Sequence, residues 1–271
     1  MTKYLFSGVF LLALFSLTAQ PNFTVSLKEV SVENAIGVHS YAMAQDDNGN
    51  VLIIGGRTDG LHKRRPFESF LEDDNNKELL VINPSAKTFY RANLNTLSTA
   101  LYEQLQSTNM QFEVVGDFLY VIGGYGYSAT NKDHITYPGM VKVEYKKVID
   151  AIINKKSFSS YFTQITDNRF AVTGGYLHHI QDTFYLVGGQ KFTGLYNPMG
   201  PGHGPGFKQE YTNEIRKFTL KSSGEIDYYH AIKDTLNLHR RDFNVARHIY
   251  ADGYSGLMAF TGVFQYDDDI P

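Results

Sequence analysis

Short apolar runs closed by a glycine doublet occur three times in this chain, as VLIIGG at 51–56, LYVIGG at 119–124 and FYLVGG at 184–189. A weaker version, LMAFTG, stands at 257–262. The pattern recurs roughly every 68 residues. Such self-similarity constrains a fold more tightly than a single motif, because each copy must be one supersecondary unit that buries its apolar surface against its neighbours. A polar turn precedes each strand at a constant offset, at Gly49, Asp117 and Asp182, and another short apolar run precedes each turn. SYAMAQ-DDNGN-VLIIGG, FEVVGD-FLYVIGG and LHHIQD-TFYLVGG therefore read as hairpins. The repeated object is a hairpin whose second strand ends in Gly-Gly.

Two further strand-like runs follow each hairpin: ELLVIN and TFYRA, then MVKVEY and FSSYFTQI, then NEIRKFTL and DYYHAI. Four antiparallel strands per copy, stacked radially, make the blade of a β-propeller. On these residues the chain resembles the kelch family over roughly 37–264, and the expectation is an all-β, kelch-like β-propeller. It departs from the kelch pattern in having no Trp, so that Phe89, Tyr90, Tyr161 and Tyr228 are expected to pack the outer strands, and in a repeat longer than the usual ~50 residues. Two amphipathic stretches take up part of the excess and predict short helical inserts: Leu97, Leu101 and Leu105, then Val148, Ile149, Ile152 and Ile153. The stretches GGRTDGLHKRRPF, STNMQF, GGYGYSATNKDHITY, GGQKF, YTNEIRKF and LHRRDFNV are also similar to a set of secreted bacterial kelch-type proteins, in which a C-terminal sorting domain is common; no such domain follows in this sequence. The fourth copy offers only ARHIY at 246–250 and GLMAFTGVF at 256–264, giving about three and a half blades. The expectation is thus an incomplete or open propeller, the N-terminal part of a longer protein, with a strand near 23–31 (FTVSLKEVS) available to join the last blade.

Lys3, the apolar run from Tyr4 to Leu17 and the small residues up to Ala19 predict a signal peptide over 1–19, leaving 20–271 as the propeller domain. The run is short for a membrane span of ~20 residues, and no other segment approaches that length, so no span is expected after signal removal. A secreted, periplasmic or cell-surface location follows. The cysteine count is zero, which removes disulfides, thiol nucleophiles and Cys-ligated zinc. It also removes the tyrosine–cysteine cofactor that a resemblance to the galactose-oxidase type of kelch propeller would imply. A net charge of -3, with basic clusters no longer than HKRR and HRR, gives no case for nucleic acid.

In a propeller, loops following the innermost hairpins gather at the ends of the central channel. The candidate ligand-binding residues are accordingly Arg57, His62, Tyr125, Tyr127 and Gln190, with His239 and Arg240 from LHRRDFNV. Aromatic, amide and charged groups on convergent loops suit a glycan, the ring stacking on a sugar face while Arg and Gln bond its hydroxyls. Arg57 and Asp59 either contact a ligand or cap their loop by pairing with each other. Arg240, Arg241 and Asp242 either clamp a carboxylate, as on a uronic or sialic acid, or form an ion-pair network between blades. No metal site or cofactor is expected: His178 and His179 are adjacent in a strand and point to opposite faces, and DDNGN reads as a hairpin turn. PMGPGHGPG at 198–206 reads as a surface loop. The expectation is a propeller that binds a glycan or protein partner without catalysis. The alternative is a sugar-processing enzyme of epimerase, lyase or hydrolase type at the propeller axis, which requires Arg57, His62, Tyr125, Tyr127, His239 and Arg240 to converge.

Overall fold

The computed structural model describes residues 24–61, 63, 65, 67–200 and 206–266. The chain divides at Val30–Ser31 into two units. In the first, the alternation in FTVSLKEVS predicts a strand that the structure does not form. Residues 24–30 form no strand among the described residues and Leu27 is 98% exposed, since an extended segment without a partner has no ladder to stabilise it.

The second unit is built of antiparallel strands with two short helices. The first copy contains β1 (Ala42–Gln45), β2 (Val51–Ile54), β3 (Glu78–Asn83) and β4 (Thr88–Asn93) in that spatial order. After helix α1 (Thr99–Leu105), the second copy opens with β5 (Gln111–Val115) and β6 (Phe118–Ile122). It continues through a side hairpin, β7 (Tyr125–Ser128) and β8 (Asp133–Thr136), to β9 (Gly139–Val143), helix α2 (Tyr145–Ile153) and β10 (Phe162–Thr166). The third repeats this layout with β11 (Tyr176–Ile180) and β12 (Thr183–Val187), then a side hairpin of β13 (Gln190–Thr193) and β14 (Lys208–Tyr211). It ends with β15 (Glu214–Leu220) and its partners β16 (Ile226–Tyr228) and β17 (Ile232–Lys233). The fourth is one long hairpin, β18 (Arg241–Ile249) and β19 (Ser255–Val263). Strands β2, β6 and β12, the three that end in Gly-Gly, each take second place in a four-layer order, between the hairpin partner and the third strand. The isoleucine spacing falls wholly within α2, while α1 takes in Leu101 and Leu105 and starts two residues after Leu97. Among the described residues no helix is long and apolar enough to cross a membrane.

Packing proceeds copy against copy. Leu52, Ile54, Leu79 and Val81 of the first sheet share a core with Leu119, Val121, Val141 and Val143 of the second, sealed by Leu101 and Leu105 of α1 and Val148, Ile149 and Ile152 of α2. The alternate residues of the second sheet, Tyr120, Ile122 and Met140, face the other way and meet Leu177, Phe184, Leu186 and Phe218 of the third. Val187 in turn packs with Phe243 and Val245 of the fourth. A strand buried on both faces reads as a continuous apolar run, which is why FLYVI lacks the alternation of a half-exposed strand. On β18 and β19 the face opposite Phe243 and Val245 carries Ala246, Met258 and Phe260, with Met258 45% and Phe260 46% exposed.

The glycine doublet is what permits this stacking. Gly123 has φ +66, and a Cβ there would stand 1.9 Å from the Val172 carbonyl oxygen of the third copy. Gly124 has φ +93, donates its amide to that same carbonyl (3.0 Å), and a Cβ on it would strike Ser107 of its own copy. Gly123→Ala should therefore combine the left-handed penalty of ~1–2 kcal/mol with a backbone clash. Gly116, at φ +58 in a turn with open space around it, supplies the comparison. Urea unfolding is expected to show Gly123→Ala destabilised by at least about 2 kcal/mol more than Gly116→Ala.

Candidate functional site

Directly after each doublet the chain makes the same contact. Arg57 pairs with His39, Tyr125 with Thr108 and Gln190 with Thr173, each through two backbone hydrogen bonds of 2.8–3.0 Å. Arg241 opposite Val263 is the fourth case. The residue that follows on the incoming side is Ser40, Asn109, Gly174 or Asp242, at φ 55, 54, 65 and 55, all left-handed. The Asn109 amide donates to the Ser40 carbonyl (3.0 Å) and the Gly174 amide to that of Asn109 (3.1 Å), while the hydroxyls of Thr108 and Thr173 bond the same two carbonyls. These four positions line one cavity of about 420 Å³. A second cavity of about 390 Å³ shares them and runs along the first strands past Gln111, Glu113, Tyr176, His178 and Val245.

Arg57, Tyr125 and Gln190 line the larger cavity. Arg57 is 1% exposed and its donors are committed: two bonds to the Asp59 carboxylate (2.8 and 2.9 Å), one to Asn75 Oδ1 (2.9 Å) and one to the Leu71 carbonyl (3.1 Å). Of the two roles open to Arg57 and Asp59 in the sequence, the pairing within the loop is the one formed. Burial alone would raise the Asp59 carboxyl, but the hydrogen bonds and charge of Arg57 outweigh it and hold the group below its ordinary 3.8. The Tyr125 hydroxyl donates to the Gly194 carbonyl (2.7 Å) and accepts from the Tyr196 amide (2.9 Å); burial pushes its pKa far up. Gln190 Oε1 accepts from Gln209.

Three other predicted residues lie elsewhere. Tyr127 pairs with His134 one step further out along β7, and its ring packs on that imidazole, because two residues carry a strand ~6.6 Å onward. His239 packs at a tilt against the Tyr211 ring, 3.9 Å between centroids, and bonds Asn213 Oδ1 (3.1 Å). Arg240 precedes β18 and Arg241 opens it, and the two line different cavities. Arg240 lines a separate cavity with Leu238, Phe243 and Phe260, and Arg241 alone enters the shared one. His62 lies outside the described residues, as do Pro201–Pro205 and Asp267–Asp269. Of the six side chains required to converge for catalysis at the axis, the described ones split, with only Arg57 and Tyr125 at the larger cavity.

The post-glycine segments of the second and third copies, expected as loops, are instead the hairpins β7–β8 and β13–β14, joined into one sheet through Ile135 and Thr193. Thr136 Oγ1 fastens the joint, donating to the Phe192 carbonyl (2.9 Å) and accepting from its amide (2.7 Å). Glu103 on α1 anchors the first hairpin by accepting from Ser128 (2.6 Å) and from Thr130. This sheet, with the 58–75 loop, brings Phe70, Tyr125, Phe192 and Tyr196 to the cavity, packed edge to face at 5.2–5.6 Å. Along the first strands, the Glu113 carboxylate of β5 accepts from Arg247 of β18 and lies 3.5 Å from His178 Nδ1 of β11. Burial would raise that carboxyl, and its bonds to His178 and Arg247 lower it overall.

No family model matches the chain, and no curated protein matches it either.

Removing Arg57 leaves the buried Asp59 carboxylate and Asn75 without their partner. Arg57→Met is expected to cost about 3 kcal/mol in urea unfolding at neutral pH. Because the folded Asp59 pKa is depressed, its contribution is complete above 3.8 and is lost as pH falls through the lower folded value. The gap between wild type and variant should therefore narrow below that pH.

Proposed function

We propose that this chain is an exported kelch-type β-propeller segment that binds a glycan, without catalysis, in the cavity where its four copies meet. The propeller assignment is supported by three four-stranded meanders packed face to face, by Gly-Gly at the end of the second strand in each of those three, and by first strands that line a common cavity. The observation that carries the binding assignment is the make-up of the larger cavity. Four aromatic rings share about 420 Å³ with His39, Gln190, Arg241 and Asp242. That volume suits one or two sugar rings and falls within the range of small-ligand sites. Apolar ring faces beside hydrogen-bonding groups match a pyranose, whose C–H face is apolar and whose rim is hydroxylated. A protein partner would call for a broader exposed surface. Export rests on the segment 1–19, which lies outside the described residues.

Two measurements test this. Displayed against a glycan panel, the protein is expected to bind a limited set of oligosaccharides, and Tyr196→Ala to weaken the best of them by about tenfold; failure to bind any glycan defeats the assignment. Expressed with its own N-terminus in a bacterial host, the exported protein should begin at or within a few residues of Gln20, and recovery of the Met1 form in membranes would defeat the export assignment.

A further inference from the structure

The two arginines of the larger cavity differ in how their donors are used. Arg57 has its guanidinium filled by Asp59, Asn75 and a backbone carbonyl, with Asp74 3.5 Å away. Arg241 is 24% exposed at its side chain and is held by its guanidinium lying 4.3 Å over the Phe264 ring. Its Nε is buried with no hydrogen-bond partner among the described residues. Among the described residues the one carboxylate paired with it is Asp242, 3.7 Å from that nitrogen, outside hydrogen-bond reach, and itself 74% exposed. His39 Nε2, also at this cavity, is likewise buried without a hydrogen bond. A guanidinium with a buried Nε–H left unfilled is in an unfavourable state that an anionic acceptor relieves. The planar fork of arginine matches the two oxygens of a carboxylate.

We propose that the cavity takes a carboxylate-bearing sugar, its carboxylate clamped by Arg241 and its ring faced by the aromatic cluster. This rests on the glycan-binding function proposed above and narrows it to acidic glycans. Arg57 cannot serve, because its donors are spent, and Arg240 is turned into a different cavity. Asp242 sets the selectivity from the other side: its carboxylate competes for the same guanidinium and repels a second anion.

The test is titration calorimetry of the full chain with uronic-acid oligosaccharides of several types and with the same oligosaccharides after reduction of their carboxyls to neutral alcohols. Acetate at matched concentration serves as the sugar-free carboxylate. At least one acidic oligosaccharide is expected to bind ten or more times tighter than its reduced form, the ratio set by the typical strength of a charge-assisted bond. Arg241→Met should abolish that preference and Arg241→Lys keep part of it, and the preference should shrink at high salt. Asp242→Asn, a substitution suited to left-handed backbone, should raise affinity for the acid, so the assignment stays testable should Arg241→Met fail to fold. Equal binding of acidic and reduced forms, or an acid preference that survives in Arg241→Met, overturns the carboxylate assignment and leaves glycan binding standing. Acetate matching the acidic oligosaccharides also overturns it, since the sugar would then add nothing. Binding of neither form overturns both.

Discussion

Two backbone hydrogen bonds, from Asn109 to Ser40 and from Gly174 to Asn109, set the distance at which successive copies approach, and the rest of the unit is arranged around that approach. Carbonyls and amides of different sheets come this close only where no Cβ intervenes, and the glycine doublets remove it. A side chain at Gly55 would meet the carbonyl of Ser107, and one at Gly123 that of Val172. With the backbones in contact, the side chains between sheets interdigitate into successive cores. Tyr120 and Ile122 can then face one neighbour while Leu119 and Val121 face the other.

The same approach creates the cavity. Each copy enters its first strand at the same point, so the residues at that point are presented to one shared space whatever their chemistry. Ser40, Asn109 and Asp242 hold left-handed backbone there, a conformation that costs most non-glycine residues ~1–2 kcal/mol and that polar residues with short side chains tolerate best. The paired hydrogen bonds flanking each position over-determine it, which is the circumstance in which such strain persists at ligand sites. Chemistry is divided between the copies. The first supplies an arginine consumed in holding its loop, the second and third supply hairpins that bring the aromatic rings, and the fourth supplies an arginine whose buried Nε has no hydrogen-bond partner among the described residues.

How much of this was legible in the sequence depends on whether the information is carried by residue type or by backbone conformation. The doublets and their hairpins were legible because only glycine fits there. The two helices were legible because Leu97, Leu101 and Leu105, and then Val148 to Ile153, keep helical spacing. Arg57, Tyr125 and Gln190 were placed at the cavity by their position after Gly-Gly. Tyr127, His239 and Arg240 do not line that cavity, because which side of a strand a residue faces, and how far along it lies, depend on where the strand starts, and β18 starts at Arg241, earlier than the run ARHIY suggests. Ser40, Asn109, Gly174 and Asp242 share no side-chain type, so their equivalence was invisible until their φ angles aligned them. Phe70 and Tyr196 reach the cavity through the 58–75 loop and the end of β13, and no local pattern announces either.

The fourth copy separates the two demands that the doublet meets elsewhere. Its counterpart is Thr261-Gly262, at φ 67 and 101. The second glycine is retained, and a Cβ on it would come 2.9 Å from Phe243 Cβ of the same copy. The first has become an exposed threonine, although a β-branched residue at positive φ is strained. In the other three copies the first glycine faces the next one: Ser107 beyond Gly55, Val172 beyond Gly123, Phe243 beyond Gly188. The second glycine thus answers to its own hairpin and the first to the neighbour. A threonine is sustainable at 261 because the face beyond it, with Met258 and Phe260, is open among the described residues. Read this way, the first position of each doublet marks which joints between copies are packed, and it does so in the sequence.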